Sequence, residues 1–279
     1  MKRGNFLTGS WLIMGVLVGL GVAVSPTGAA IITLEDANST AVWDLYSSAG
    51  QMDWTIDGVD HMGQQWFWYR VGSSDREYSV DTLTPGTPTT VDTNGSGKNN
   101  LLFVEYTSEA SSFTVSLTFL LTGGTTGGGN SDIMESIKVV NTGSESLDFH
   151  LFQYCDFDLT ATPDNDTVRI SGGNTANQTD PAHVVTETVA TFKPDHFAVG
   201  EQPDIRDLLE DAAPTTLGDD AGPLGPGNVT WAFQWDKTIA AGGSLLISKD
   251  KNVTPEPATL GLMGVGLAFA VYTRVRRRR

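Results

Sequence analysis

Asp156 and Asp158 stand two residues apart, and Asp164, Asn165 and Asp166 follow across a short loop. If the strand-like run before them continues, alternation places Asp156 and Asp158 on one face. Asp156, Asp158, Asp164 and Asp166 offer hard carboxylate oxygens of the kind Ca2+ takes, so Ca2+ is the cofactor to consider, with no other implied. Their spacing departs from an EF-hand loop and lacks its distal Glu. Solvated loop acids account for the same residues without a ligand.

The second chemistry is stacking on sugars. Alternation puts Trp66 and Trp68 on one face of a strand, with Phe67 and Tyr69 on the other. Trp231, Phe233 and Trp235 make another same-face row. Trp66, Trp68, Trp231 and Trp235 are therefore candidates for a carbohydrate platform, although flat rings fill sandwich cores equally well.

Catalytic patterns are missing. The histidines at 61, 150, 183 and 196 form no His-x-His or His-x-x-x-His pair, and Cys155 is the single cysteine. No zinc motif or intrachain disulfide follows from that set. Neither a Gly-x-Ser-x-Gly elbow nor a phosphate-binding glycine loop occurs. No catalytic residue is assigned.

Strands must position these groups. Phe113, Val115, Leu117 and Phe119 alternate with Thr114, Ser116 and Thr118, the pattern of a half-buried strand. Ile133, Ile137 and Val139 begin another, and Asn141-Thr142-Gly143-Ser144 is a turn before Leu147, Phe149 and Leu151, so a hairpin is expected. Antiparallel partners are likewise expected on either side of 238–243. Gly123 to Asn130 reads as a long sheet-edge loop or an interdomain linker. Only Pro203 to Glu210 looks helical, with acids in its first turn. So little helix cannot cover a parallel sheet, and an all-β antiparallel β-sandwich with one short helix is expected.

The ends carry export signals. Lys2 and Arg3 precede an apolar core from Trp11 to Val24 and small residues at 28–30, a secretory signal peptide over 1–30; an uncleaved anchor is the alternative. Residues 31–254 hold 10 basic and 32 acidic residues, a formal balance of −22. Such a surface repels nucleic acid and attracts cations. At the other end, Pro255 and Pro257 set a stiff boundary before an apolar run from Ala258 to Tyr272. Arg274, Arg276, Arg277, Arg278 and Arg279 close the chain as a membrane stop.

Pro255-Glu256-Pro257-Ala258-Thr259, the apolar run and the arginines together resemble the PEP-CTERM sorting signal of Gram-negative and related bacteria. The resemblance is confined to the last 25 residues or so and implies a transient transmembrane helix presented to an exosortase-like membrane protease. It also implies an association with exopolysaccharide or matrix. The expected organisation is a signal peptide at 1–30, an exported β-sandwich at 31–253 and a sorting and membrane segment at 254–279. The functional expectation is a non-enzymatic cell-surface or extracellular-matrix protein, handled by signal peptidase and an exosortase. A carbohydrate-binding module and a secreted glycan hydrolase are the alternatives.

Overall fold

A computed structural model describes residues 31–256, apart from Ser111. The expected signal helix and the apolar segment after Pro257 lie outside the described residues. Among the described residues, no helix is long and apolar enough to cross a membrane.

The fold is two facing sheets, antiparallel throughout except for one short parallel pairing of Gly50 and Gln51 with Gln65. The first sheet opens with β1 (Ile31–Asp36), β2 (Ser39–Asp44), β3 (Gly50–Ile56), β4 (Val59–Asp60), β5 (Met62–Val71) and β6 (Tyr78–Ser79). The chain then builds the second sheet with β7 (Thr84–Pro85), β8 (Thr89–Val91), β9 (Leu101–Thr107), β10 (Phe113–Gly123) and β11 (Ser131–Asn141). It returns to the first sheet with β12 (Leu147–Phe157) and adds β13 (Asp166–Ser171), β14 (Thr175–Thr179) and β15 (His183–Val189) to the second. From there it alternates: β16 (His196–Glu201), α1 (Asp204–Glu210), β17 (Leu224–Gly227), β18 (Val229–Ile239) and β19 (Ser244–Pro255). The resulting orders are β1-β2-β3-β5-β12-β18-β16 and β17-β13-β14-β15-β19-β11-β10-β9-β7.

Period-two patterning explains the core. On β10, Phe113, Val115, Leu117, Phe119 and Leu121 are all buried, so their alternation turns one face inward. On β5 and β12 both faces close. Phe67 and Phe149 face the second sheet, while Trp68, Phe152 and Tyr154 lie on the other face and the Trp66 ring meets Tyr106 of β9 edge-on. That outer face is covered by the chain itself. Arg70 pairs with Glu77 and donates to the Thr215 carbonyl at 2.7 Å, while the Thr215 amide donates to Glu77 at 2.9 Å. These bonds hold the segments around residues 77 and 215 against the sheet.

Two expected hairpins do not form. The turn at 141–144 carries the chain from β11 in the second sheet to β12 in the first, and 238–243 carries it back from β18 to β19. Both are arches across the sandwich, and they lie side by side. The Asn141 amide donates to Gly243 and its side chain to the carbonyls of Glu145 and Ile239, while Gly242 donates back to Asn141. Apolar residues at alternate positions, as at Ile137 and Val139 before the turn and Leu147, Phe149 and Leu151 after it, fit an arch as well as a hairpin. That is why the pattern misleads here.

The glycine-rich stretch after β10 is a sheet-edge loop. The Asp57 carboxylate accepts from the amides of Gly127 and Gly129 at 2.6 and 2.9 Å, and Asn38 accepts from Gly124 at 2.7 Å.

Candidate functional site

Of the carboxylates singled out from sequence, Asp156 is on β12, Asp158 follows its end, Asp164 sits in the next loop and Asp166 opens β13. Asp156 is buried, and burial together with Asp158 pushes its carboxyl up to about 7. Asp158 is raised by burial and by Asp60 and Asp164. Their Oδ1 atoms are both shielded from solvent and without a hydrogen-bond partner. Gly63 leaves the space beside them: a Cβ there would lie 3.1 Å from Asp158 Oδ2. Asp166 is fully buried, accepts from Gln178 at 2.5 Å and from the Leu159 amide at 3.2 Å, and is pushed up to about 7 by burial. Asp164 is exposed. Among the described residues, no three or more His, Cys, Asp or Glu side chains converge as metal ligands.

The tryptophans are core, which corrects the stacking platform. Trp66, Trp68, Trp231 and Trp235 are all shut off from solvent. Trp231 stacks on Phe157 at 5.3 Å, and Trp68 meets Tyr154 edge-on at 6.2 Å. Trp66 donates to Asp81 at 3.2 Å and Trp235 to the Phe192 carbonyl at 2.6 Å. Filling both faces of the central strands takes all four rings.

Accessible aromatic surface lies elsewhere. Tyr69, near the end of β5, and Tyr78, on β6, sit 6.1 Å apart with their planes 36° from one another. Tyr69 stacks from behind on Phe149, 6.0 Å away and nearly coplanar. Tyr78 is 38% exposed, its hydroxyl donates to Asp75 at 3.2 Å, and the Arg76 guanidinium lies 5.7 Å from its ring. The two rings border a cavity of about 440 Å3 completed by Asp75, Thr82, Ser108, Glu109 and Ser112. Flat rings, carboxylates and hydroxyls share this opening. Only the Tyr69 half was visible in sequence, as the reverse face of Trp66 and Trp68. Tyr78 arrives from a two-residue strand with no periodicity of its own.

A second polar set crosses the first sheet's outer face. Cross-strand register places His150 opposite Asp236, and Gln234 opposite His196. His150 Nδ1 lies 2.5 Å from Asp236 Oδ1, and His196 Nε2 lies 3.7 Å from Asp236 Oδ2. Asp219 binds His196 Nδ1 from outside at 3.2 Å. Burial works to raise the Asp236 carboxyl, yet hydrogen bonds from His150 and Gln234 outweigh it and hold the group below the ordinary value. No short sequence motif foretells this set, because its members are brought together from β12, β16, β18 and the loop that carries Asp219.

At the far end, β19 carries Thr254 and Pro255 into the second sheet, opposite Val184 and His183. The family model for the PEP-CTERM protein-sorting motif matches residues 253–279. The chain ends in a PEP-CTERM sorting motif. The motif marks export and membrane-anchored sorting through an exosortase.

No curated protein matches the chain. Solved structures share its fold. A bacterial glucoamylase complexed with acarbose superposes with a TM-score of 0.56 at 6% identity, covering 82% of this chain and 32% of the glucoamylase. A putative aldose 1-epimerase from Escherichia coli K12 superposes with a TM-score of 0.52 at 12% identity, covering 82% of this chain and 99% of the epimerase. The chain thus spans about a third of the first and nearly all of the second. At these identities the likeness is one of fold, and because the proteins that share it are a glucoamylase and a putative aldose 1-epimerase, the expectation of a non-enzymatic surface or matrix protein is corrected.

Proposed function

We propose that the exported domain recognises carbohydrate, with the Tyr69–Tyr78 groove as its binding surface. The observation that carries this reading is the half-open tyrosine pair over a cavity of about 440 Å3 bordered by Asp75, Glu109 and three hydroxyl side chains. Saccharides present apolar C–H faces and rings of hydroxyls, so they stack on flat aromatics and donate hydrogen bonds to carboxylates. The phenyl ring of Phe149 backs Tyr69, which fixes one wall before a ligand arrives. In the envelope, the natural ligand is a glycan of the surface or matrix.

Affinity electrophoresis through gels containing soluble polysaccharides tests the proposal. Retardation of the native domain by at least one polysaccharide, lost in Tyr78→Ala, is the expected outcome. Equal mobility of the two proteins in every gel would remove the groove from consideration.

A second reading is acid–base chemistry on an aldose ring at His150 and Asp236. It is favoured by one specific contact, the 2.5 Å approach of His150 Nδ1 to Asp236, which fixes the ring, with the shielded Nε2 3.7 Å from Asp148. Ring opening needs a proton removed from the anomeric hydroxyl and one delivered to the ring oxygen, tasks suited to an imidazole and a carboxyl group. Polarimetry of freshly dissolved aldoses decides it: acceleration that His150→Ala abolishes supports the reading, and a rate equal to buffer alone ends it.

A further inference from the structure

The sorting motif does not hang from the domain on a linker. β19 runs unbroken through Pro255, between β11 and β15. Its pairing with β11 continues to Val253, opposite Ser131, and its pairing with β15 to Pro255, opposite His183. The Glu256 amide then donates to the Ala182 carbonyl at 2.7 Å. With that bond made one residue on, Pro255 falls on the non-bonded position where its missing N–H costs no ladder bond. Gly129 leaves room for the proline ring: a Cβ there would lie 2.8 Å from Pro255 Cγ. The first two residues of Pro255-Glu256-Pro257 are therefore seated in the sheet.

A protease takes its substrate as an extended strand that pairs with the enzyme. The final residues of β19 are extended already, but their pairing edges are occupied by β11 and β15. Freeing them would break their pairing with Val184 and His183 and pull on Val253, the next residue back, which is buried in the core.

From this seating, and resting on the sorting-motif reading, we propose that the sorting protease acts on the closed domain and cuts at or beyond the Glu256–Pro257 bond. The peptide C–N bond breaks, water adds its hydroxyl to the carbonyl carbon, and the departing nitrogen takes the proton. The exported product keeps β19 whole, with Pro255 and Glu256 as a rigid edge that the protease reads in place.

A disulfide lock tests this in exosortase-competent cells. Val184 and Thr254 are direct cross-strand partners, within the separation a disulfide spans. Full-length Val184→Cys/Thr254→Cys protein closes the end of β19 covalently, and each single-cysteine variant controls for folding and export. Locked and control proteins are expected to be processed at the same rate, and intact-mass analysis should place the new C-terminus at Glu256 or later. Accumulation of the locked protein at full length while both controls are processed would overturn the proposal. A C-terminus at or before Pro255 would do the same.

Discussion

Lys249 and Glu135 face each other across β19 and β11, 2.5 Å apart and both shut off from water in the middle of the sandwich. Glu187 and Lys251 repeat the relationship one strand over, and Lys251 also pairs with Glu135. Two cations and two anions thus share one dry site, with Gln65 donating to Glu135 at 3.0 Å and Gln153 to Glu187 at 2.8 Å. Lys249 lies 5.2 Å from the Phe67 ring and Lys251 6.0 Å from that of Phe157.

Breaking this balance should be costly. Lys249→Met leaves two buried carboxylates facing one ammonium group, and a loss of about 3–5 kcal/mol is expected from denaturant unfolding. Restoring neutrality with Glu135→Leu in the same chain should recover most of it. A double variant less stable than Lys249→Met alone would show that the pair is not acting as a unit.

The pH profile should have losses on both sides. Burial alone would raise Glu135, but Lys249 and Lys251 outweigh it and hold the carboxyl below its ordinary 4.5. Its contribution is present above the unfolded value and lost as pH falls through the lower folded one. Asp156 and Asp166 run the other way, raised by burial to about 7 from 3.8. Ionising them costs folded-state stability progressively between those values, and the full cost remains above 7. Thermal unfolding should therefore show a maximum between the acid loss and pH 7, and Asp156→Asn should stabilise more at pH 8 than at pH 5. An equal effect at both pH values would contradict the raised carboxyl.

The strands were legible in sequence where one face is apolar and the next polar, as on β10. α1 was legible from Pro203 and its acids. What stayed hidden was which sheet each strand joins. β11 and β12, or β18 and β19, look like hairpin arms because only a short turn separates each pair, while the crossing depends on the clasp around Asn141. Lys249 and Lys251 gave no hint of burial, since their partners come from β11 and β15. The tryptophans misled for a related reason. Central strands covered on both faces bury all four tryptophans, leaving Tyr69 near the end of β5 and Tyr78 on the shorter β6 to present rings.

Gly50 marks a tight approach that sequence could not reveal. It adopts φ +58 between β2 and β5, and a Cβ would collide with the Trp66 ring and the Gln65 carbonyl. Gly50→Ala should cost about 1–3 kcal/mol from overpacking and backbone strain together. Unchanged thermal unfolding would mean that Trp66 has room to shift.

Chemical-shift mapping of the exported domain against oligosaccharides tests carbohydrate recognition most directly. The account predicts saturable shifts at Tyr69, Asp75, Tyr78, Thr82 and Glu109, with affinity weakened at least about tenfold in Tyr78→Ala, the scale expected when a stacking contact is removed. Saturable shifts confined to other surfaces, or no shifts at millimolar sugar across a broad oligosaccharide set, would contradict it.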